Sequence, residues 1–189
     1  MDSVKAKQYS NLLEFGDISQ TIQQIVESNE WSTLQESFNN SENIGLVGHG
    51  GNLAVADHMA ADITRLTDFK KSTFCPGSAI MSTSFINDSN FDQWMVLWLK
   101  SIINSLNFEK TLLIGISSSG KSNDIANLFL EAEKYGIKTA LITAKKSFSI
   151  NKDIEVVTNT ESYHSSEIVA LALGYQLVHG FGHTCPVIK

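Results

Sequence analysis

Apolar side chains along this chain fall into two alternating rhythms. Short continuous apolar runs are separated by longer stretches whose apolar positions recur every three or four residues. Ile18, Ile22, Ile25 and Val26 form one such stripe, and Trp31, Leu34 and Phe38 form another. Both have the spacing of amphipathic helices. Residues 43–47 then read as a short buried strand that ends in Gly48-His49-Gly50-Gly51-Asn52. A helix is predicted from about 53 to 66, and a weak strand at 72–75. Trp94, Leu97, Trp98 and Ile102 mark the next helix. Residues 111–114, 139–142 and 154–157 read as strands, with a helix carried by Ile125, Leu128, Phe129 and Ala132 between the first two. The last helix, from 166 to about 178, is apolar nearly all round, which predicts burial. Strands that alternate with helices predict an α/β domain. Its sheet is mainly parallel and five-stranded, with helices on both faces, a three-layer arrangement of the Rossmann-like or flavodoxin-like kind. Residues 1–40 read as a helical region of that same domain that serves oligomer contacts, and residues 41–189 carry the sheet. Trp31, Trp94 and Trp98 fit core positions and interface anchors equally well.

Composition narrows the field. The chain has 189 residues, enough for one domain with a substantial core. It carries 14 basic and 20 acidic residues, a net charge of −6. No basic cluster exceeds Lys70-Lys71 or Lys145-Lys146, which argues against a nucleic-acid partner. Two cysteines, Cys75 and Cys185, make no disulfide framework. The first residues are polar and show no signal peptide. No apolar run approaches about 20 residues, so no membrane span is expected. The chain is expected to be a cytoplasmic globular protein.

The most specific chemistry lies in Gly115-Ile116-Ser117-Ser118-Ser119-Gly120-Lys121-Ser122. A buried strand runs into glycine and hydroxyls, and this loop opens a helix. Unpaired N–H groups at a helix start carry the positive end of its dipole and bind anions. The serine hydroxyls add donors, and a phosphate group is the ligand this suits best. The letters also fit the P-loop pattern G-x-x-x-x-G-K-S. A nucleotide-hydrolysing reading further needs a magnesium-holding aspartate at a later strand end. The candidate strand there, 139–142, is followed by Thr143.

Gly48-His49-Gly50-Gly51-Asn52 is a second such loop. Gly50 and Gly51 permit close backbone approach to a ligand, and Asn52 can cap the helix. His49 reads as a loop residue without chemistry of its own. Taken together, these segments resemble the sugar isomerase (SIS) domain family, and within it the phosphoheptose isomerases, which act on sedoheptulose 7-phosphate. The likeness covers about residues 15–180. Gly48-His49-Gly50-Gly51-Asn52 is similar to the family's G-N-G-G-S loop. Residues 56–64 are similar to its A-x-H-F-A-E-E-L-T helix. Asn87-Asp88 stands where the family has G-N-D, and residues 115–122 follow G-I-S-T-S-G-N-S almost letter for letter. The resemblance implies a homotetramer that binds a sugar phosphate. Ser117, Ser118, Ser119 and Ser122 would hold the phosphate, with Gly50 and Gly51 lining the loop. Asn52 would replace a phosphate-contacting serine, and Asp88 would lie in the sugar site.

The departures from the pattern concern catalysis. The family's catalytic glutamate corresponds to Asp62, still a carboxylate. Its last-helix glutamine and histidine correspond to Ser166 and Gly174, so both side chains are lost. Aldose–ketose isomerisation needs a base at carbon and an acid at oxygen. Asp62 is the candidate base. His58 shares its helix face at i, i+4, and His164 and His179 are the other candidate acids. Some family members bind zinc through the residues at these positions. His58 and Asp62 alone make an incomplete set, so no cofactor is required and no metal is expected. The expected activity is a sugar-phosphate isomerase. The alternative is a phosphosugar-binding regulator, like the replication-initiator-associating protein DiaA, which shares the fold without the isomerase residues.

Overall fold

The computed structural model describes residues 16–188. The start of the expected helical region, residues 1–15, lies outside them. Two helices, α1 (Ile18–Val26) and α2 (Asn29–Asn40), precede β1 (Asn43–Gly48). Then follow α3 (Gly51–Leu66), β2 (Ser72–Phe74), α4 (Ala79–Asp88), α5 (Trp94–Ile102), β3 (Thr111–Ile116), α6 (Asn123–Glu133), β4 (Lys138–Thr143), β5 (Ile154–Val157) and α7 (Tyr163–Gly180). The five strands form one sheet in the order β2-β1-β3-β4-β5. Every pairing is parallel. The predicted strands are therefore all present, and the order is the flavodoxin-like one.

Side chains alternate across the strands with a period of two. Ile44, Leu46, Leu112, Ile114, Ala140 and Ile142 face a layer built from α1, α2, α3 and α7. Val47, Leu113 and Leu141 face α5 and α6. Glycine at 115 is required by packing, since a Cβ there would lie 2.9 Å from Phe129 and 3.0 Å from Ile125 of α6. All three tryptophans are core residues. Trp31 is 6% exposed, and Trp94 and Trp98 are 2% exposed. Among the expected alternatives for them, the structure selects core.

Two elements differ from the sequence reading. The last helix buries one face only, through Ser165, Ser166, Val169, Ala170, Leu173, Gly174, Leu177 and Val178. Ile168 stays exposed, and Leu171 and Tyr175 are half-buried. Uniform apolarity therefore overstated its burial. Helix α4 has no stripe to predict it and buries no residue at all, leaving Ile80 83% exposed.

Topology fixes where a ligand can sit. From β1 the chain moves first to β2 on one side and then to β3 on the other. Open α/β sheets bind ligands at this switch point, beyond the carboxyl ends of the strands. Gly48 of β1 pairs in register with Ile116 of β3. The glycine loop and the serine loop thus leave the sheet side by side.

Candidate functional site

The serine loop is shaped by its own hydrogen bonds. Gly120 takes a positive φ of +64° and donates its N–H to Ser117 O at 2.9 Å. Ser147 and Ser149 both donate hydroxyls to Gly120 O, tying the loop to the segment after β4. Ser117 and Ser122 hydroxyls meet at 2.9 Å. Ser122 is the N-cap residue of α6 but makes no side-chain cap bond. Ile125 N–H donates to Asp124 Oδ1 at 3.0 Å. The N–H groups before it take no cap bond from Ser122, and an anion can take that place. Ser117 and Ser118 are buried and Ser119 is exposed.

The two loops are joined by one bond. Asn52 Nδ2 donates to Ser118 Oγ at 3.1 Å, and the buried Asn52 Oδ1 has no partner among the described residues. Turning the amide over would let the Ser118 hydroxyl donate to Oδ1 and free Nδ2 as a donor toward a bound anion. A cavity of about 180 Å³ opens beside the loop, lined by Ser118, Ser119, Lys145, Ser162 and Tyr163 among others. Lys145 supplies the only formal positive charge in its lining, a contribution sequence reasoning missed. Gly50 has a φ of +52° with open space around it. Gly51 does something different: a Cβ there would lie 2.2–2.4 Å from the Glu167 carboxyl. A carboxylate of α7 therefore already faces the start of α3.

His49 is more than a loop residue. Its Nε2 lies 2.5 Å from Asp124 Oδ2. Asp124 is 1% exposed, and the same oxygen accepts from Trp94 Nε1 at 2.9 Å. The His49 ring stacks on Phe91 at 5.4 Å and meets Trp94 at 6.5 Å. No sequence spacing pairs residues 49 and 124. Only the adjacency of β1 and β3 does.

Asp62 and His58 lie elsewhere on α3. His58 Nε2 is 3.2 Å from Asp62 Oδ2, as i, i+4 spacing predicted. Tyr175 of α7, not anticipated, completes the group: its hydroxyl donates to Asp62 Oδ2 at 3.0 Å and lies 2.9 Å from His58 Nε2. Arg65 donates to Asp62 Oδ1 at 2.8 Å. Burial pushes the Asp62 carboxyl up, but the Arg65 and Tyr175 bonds and the charges of His58 and Arg65 outweigh it and hold the pKa below the usual carboxylate value. Burial, then the bond to Asp62, pushes the Tyr175 phenol up.

Asp62 is eleven residues into α3, about 16 Å along the axis from its start beside the loops. One chain therefore does not bring Asp62 and His58 to the serine loop. His164 is exposed in the first turn of α7, next to the Tyr163 that lines the cavity. Asp88 is the exposed last residue of α4 and accepts from Asn87 Nδ2 at 3.3 Å.

The zinc arrangement known in the resembling family does not fit here. Gly174 offers no donor, and a Cβ there would lie 1.9 Å from Met59 Cε, so α3 and α7 close over the missing histidine. Ser166 is 2% exposed. His58, Asp62 and the Tyr175 hydroxyl fall short of a usual zinc donor set.

No model of a known protein family matches the chain. Individual proteins do. A phosphoheptose isomerase of Chlorobaculum parvum is 27% identical over 154 residues, 77% of this chain and 72% of that protein. One from Aliarcobacter butzleri is 30% identical over 129 residues, 65% of this chain and 66% of that protein. Among solved structures, the phosphoheptose isomerase of Neisseria gonorrhoeae superimposes with a TM-score of 0.75 at 17% identity, over 95% of this chain and 99% of that one. The Francisella tularensis enzyme gives 0.73 at 16% identity, over 96% and 98%. Joined to the glycine loop, the α3 motif and the serine loop in their matching places, these likenesses show that the chain belongs to the sugar isomerase (SIS) family, near its phosphoheptose isomerases.

Proposed function

We propose that the protein is a sugar-phosphate aldose–ketose isomerase that interconverts sedoheptulose 7-phosphate and a heptose 7-phosphate in the cytoplasm. The observation that carries this is the convergence of the two loops at the β1/β3 switch point, joined by the Asn52–Ser118 bond. Ser117, Ser118, Ser119, Ser122 and the first turn of α6 supply phosphate donors. Gly50, Gly51 and Asn52 border the same crevice. Nothing in this machinery calls for a resident cofactor, nucleic acid or membrane. Among the described residues no helix is long and apolar enough to cross a membrane.

The reaction moves a proton between neighbouring carbons through an enediol. A base removes the proton from carbon while an acid protonates the carbonyl oxygen. Asp62 is assigned the base role and His58 its partner, with His164 as a further proton carrier and Asp88 a contact to the sugar. About 16 Å of helix separates Asp62 from the serine loop of its own chain, so the reading requires Asp62 to face the phosphate loop of a second subunit. The exposed apolar side chains of α4, with Ile168 on α7, are the surfaces offered for that contact. A homotetramer is expected. Light scattering that gives a 20.8 kDa particle at micromolar concentration would reject it.

Phosphate capture is tested by calorimetry with sedoheptulose 7-phosphate. Charge-assisted hydrogen bonds are roughly twice as strong as neutral ones. Ser119→Ala is expected to weaken binding by about 1–2 kcal/mol. Equal affinity in both proteins would place the phosphate elsewhere. Tight binding of magnesium ATP without sugar-phosphate binding would install the nucleotide reading instead.

A further inference from the structure

The family pattern places its catalytic histidine at position 174, which is glycine here, and a Cβ there would require the Met59 side chain to shift. The imidazole that the family pattern carries on its last helix is therefore absent from α7. One stands in the glycine loop that borders the crevice. His49 precedes Asn52 by three residues, and the Asn52 amide meets Ser118. Its partner Asp124 follows Ser122 by two residues. The His49–Asp124 contact thus ties the glycine loop to the first turn of α6, within one subunit.

Its geometry is that of an oriented proton carrier. An ionised carboxylate only accepts hydrogen bonds. Asp124 Oδ2 accepts from Trp94 Nε1, which can only donate. The 2.5 Å contact therefore has His49 Nε2–H as donor, leaving Nδ1 as the basic nitrogen of the neutral ring. Phe91 stacks on the ring and Trp94 meets it edge-on, which fixes its plane. The side chain stays 30% exposed while its carboxylate is 1% exposed. A buried carboxylate that fixes the tautomer of a half-open imidazole is the arrangement by which hydrolytic triads orient their base.

Building on the isomerase reading, we propose that His49, oriented by Asp124, carries the proton between the two oxygens of the bound sugar. In the ketose-to-aldose direction, the carbon base takes a proton from C1, and the C1–H electrons form the C1–C2 double bond. His49 enters this step as imidazolium, protonated at Nδ1 as well as Nε2. The C2 carbonyl oxygen takes the Nδ1 proton and leaves the neutral Nε2–H ring. The enediol then returns a proton from the C1 hydroxyl to Nδ1 as the C1 carbonyl forms, and C2 takes the proton held by the base. Protons and electrons balance, and no co-reactant is consumed. His49 is the catalytic residue of this proposal and Asp124 its positioning residue.

The test is solvent deuterium exchange into sedoheptulose 7-phosphate by the full chain, alongside calorimetric binding. His49→Gln, and His49→Asn with the residue of the family's loop motif, are expected to slow exchange by about 10²–10⁴-fold, with affinity changed only a few-fold. Asp124→Asn is expected to slow exchange as well. It should also shift the ¹⁵N signals of His49 from the Nε2–H tautomer to a mixture, which a merely structural role would not produce. Exchange at the wild-type rate in both His49 variants overturns the assignment and leaves the isomerase reading intact. Wild-type His49 ¹⁵N signals that report a neutral ring with Nδ1–H and a bare Nε2 overturn it without any activity measurement. No exchange by the wild type overturns the isomerase reading, and this proposal with it.

Discussion

Lys71→Ala is expected to destabilise the fold by about 2–4 kcal/mol, more than a typical point substitution. Lys71 is 1% exposed although it is charged. Its ammonium donates to Phe38 O and Ser41 O at 2.6 Å each, and to Asn39 O at 3.4 Å. These are end carbonyls of α2 and carry the negative end of its dipole; Phe38 O also accepts from Ser41 N–H at 3.3 Å. The same ammonium lies 4.6 Å from the Phe38 ring centre and 4.1 Å from that of Phe181. Removing it takes the ammonium donor from Ser41 O and Phe38 O and leaves a cavity between two aromatic rings. Urea denaturation measures the loss, and a change under about 0.5 kcal/mol, the range of ordinary surface sites, would refute this account. Lys71→Met keeps the stem and separates packing from charge. Burial pushes the Lys71 pKa down to about 8, with Glu42 opposing. The unfolded chain holds this proton up to about pH 10.4. Between those values the unfolded state binds more protons, so this residue's contribution to stability rises with pH. The stability of the wild type relative to Lys71→Met should therefore increase from pH 8 toward pH 10, and a decrease would reverse the assignment.

Lys71 also illustrates where sequence reading stops. In the sequence it is the second of two adjacent lysines, with the look of a surface pair. Only the fold, which sets Lys71 against the end of α2 and the Phe38 and Phe181 rings, buries one of them. The sheet was far more legible. Parallel strands covered on both faces are continuous apolar runs, and residues 43–47, 111–114 and 139–142 announce themselves so. Helix α4 was not legible because its apolar residues follow no single stripe, and the isolated chain buries none of them. Helix α7 was over-read because Ile168 and its half-buried neighbours look no different in sequence from the buried Val169 and Leu173.

The site divided in the same way. The phosphate loop could be read because its chemistry is local: glycines, hydroxyls and a helix start lie within eight consecutive residues. The proton-handling groups are not local. His49 and Asp124 meet because β1 and β3 are neighbours in the sheet. Tyr175 reaches Asp62 because α3 and α7 lie against each other at Gly174 and Met59. In both cases the partner's identity follows from packing, which no periodicity encodes. The loss of one histidine at position 174 was visible in the sequence. The tyrosine beside it, bonded to the candidate base, was visible only in the fold.

Asp62→Asn is the change expected to affect turnover most. An amide cannot take a proton from carbon, and a positioned base contributes about 10²–10⁴ in rate, so sugar-phosphate exchange should fall by about that factor. Affinity for the sugar phosphate should persist, because the serine loop is built from β3 and α6 and shares no bond with Asp62. The pH profile tests the same assignment independently. A carbon base works only when ionised, so activity is lost as pH falls through its pKa. The Arg65 and Tyr175 bonds hold the Asp62 pKa below the ordinary carboxylate value. The acid limb of the rate profile should accordingly lie below that value, and activity should be level on its alkaline side until another group titrates. Tyr175→Phe removes one donor to the carboxylate and should move the limb upward in pH. A limb unmoved by Tyr175→Phe, or exchange that survives Asp62→Asn, would take the base role from Asp62 while leaving the phosphate site where it is.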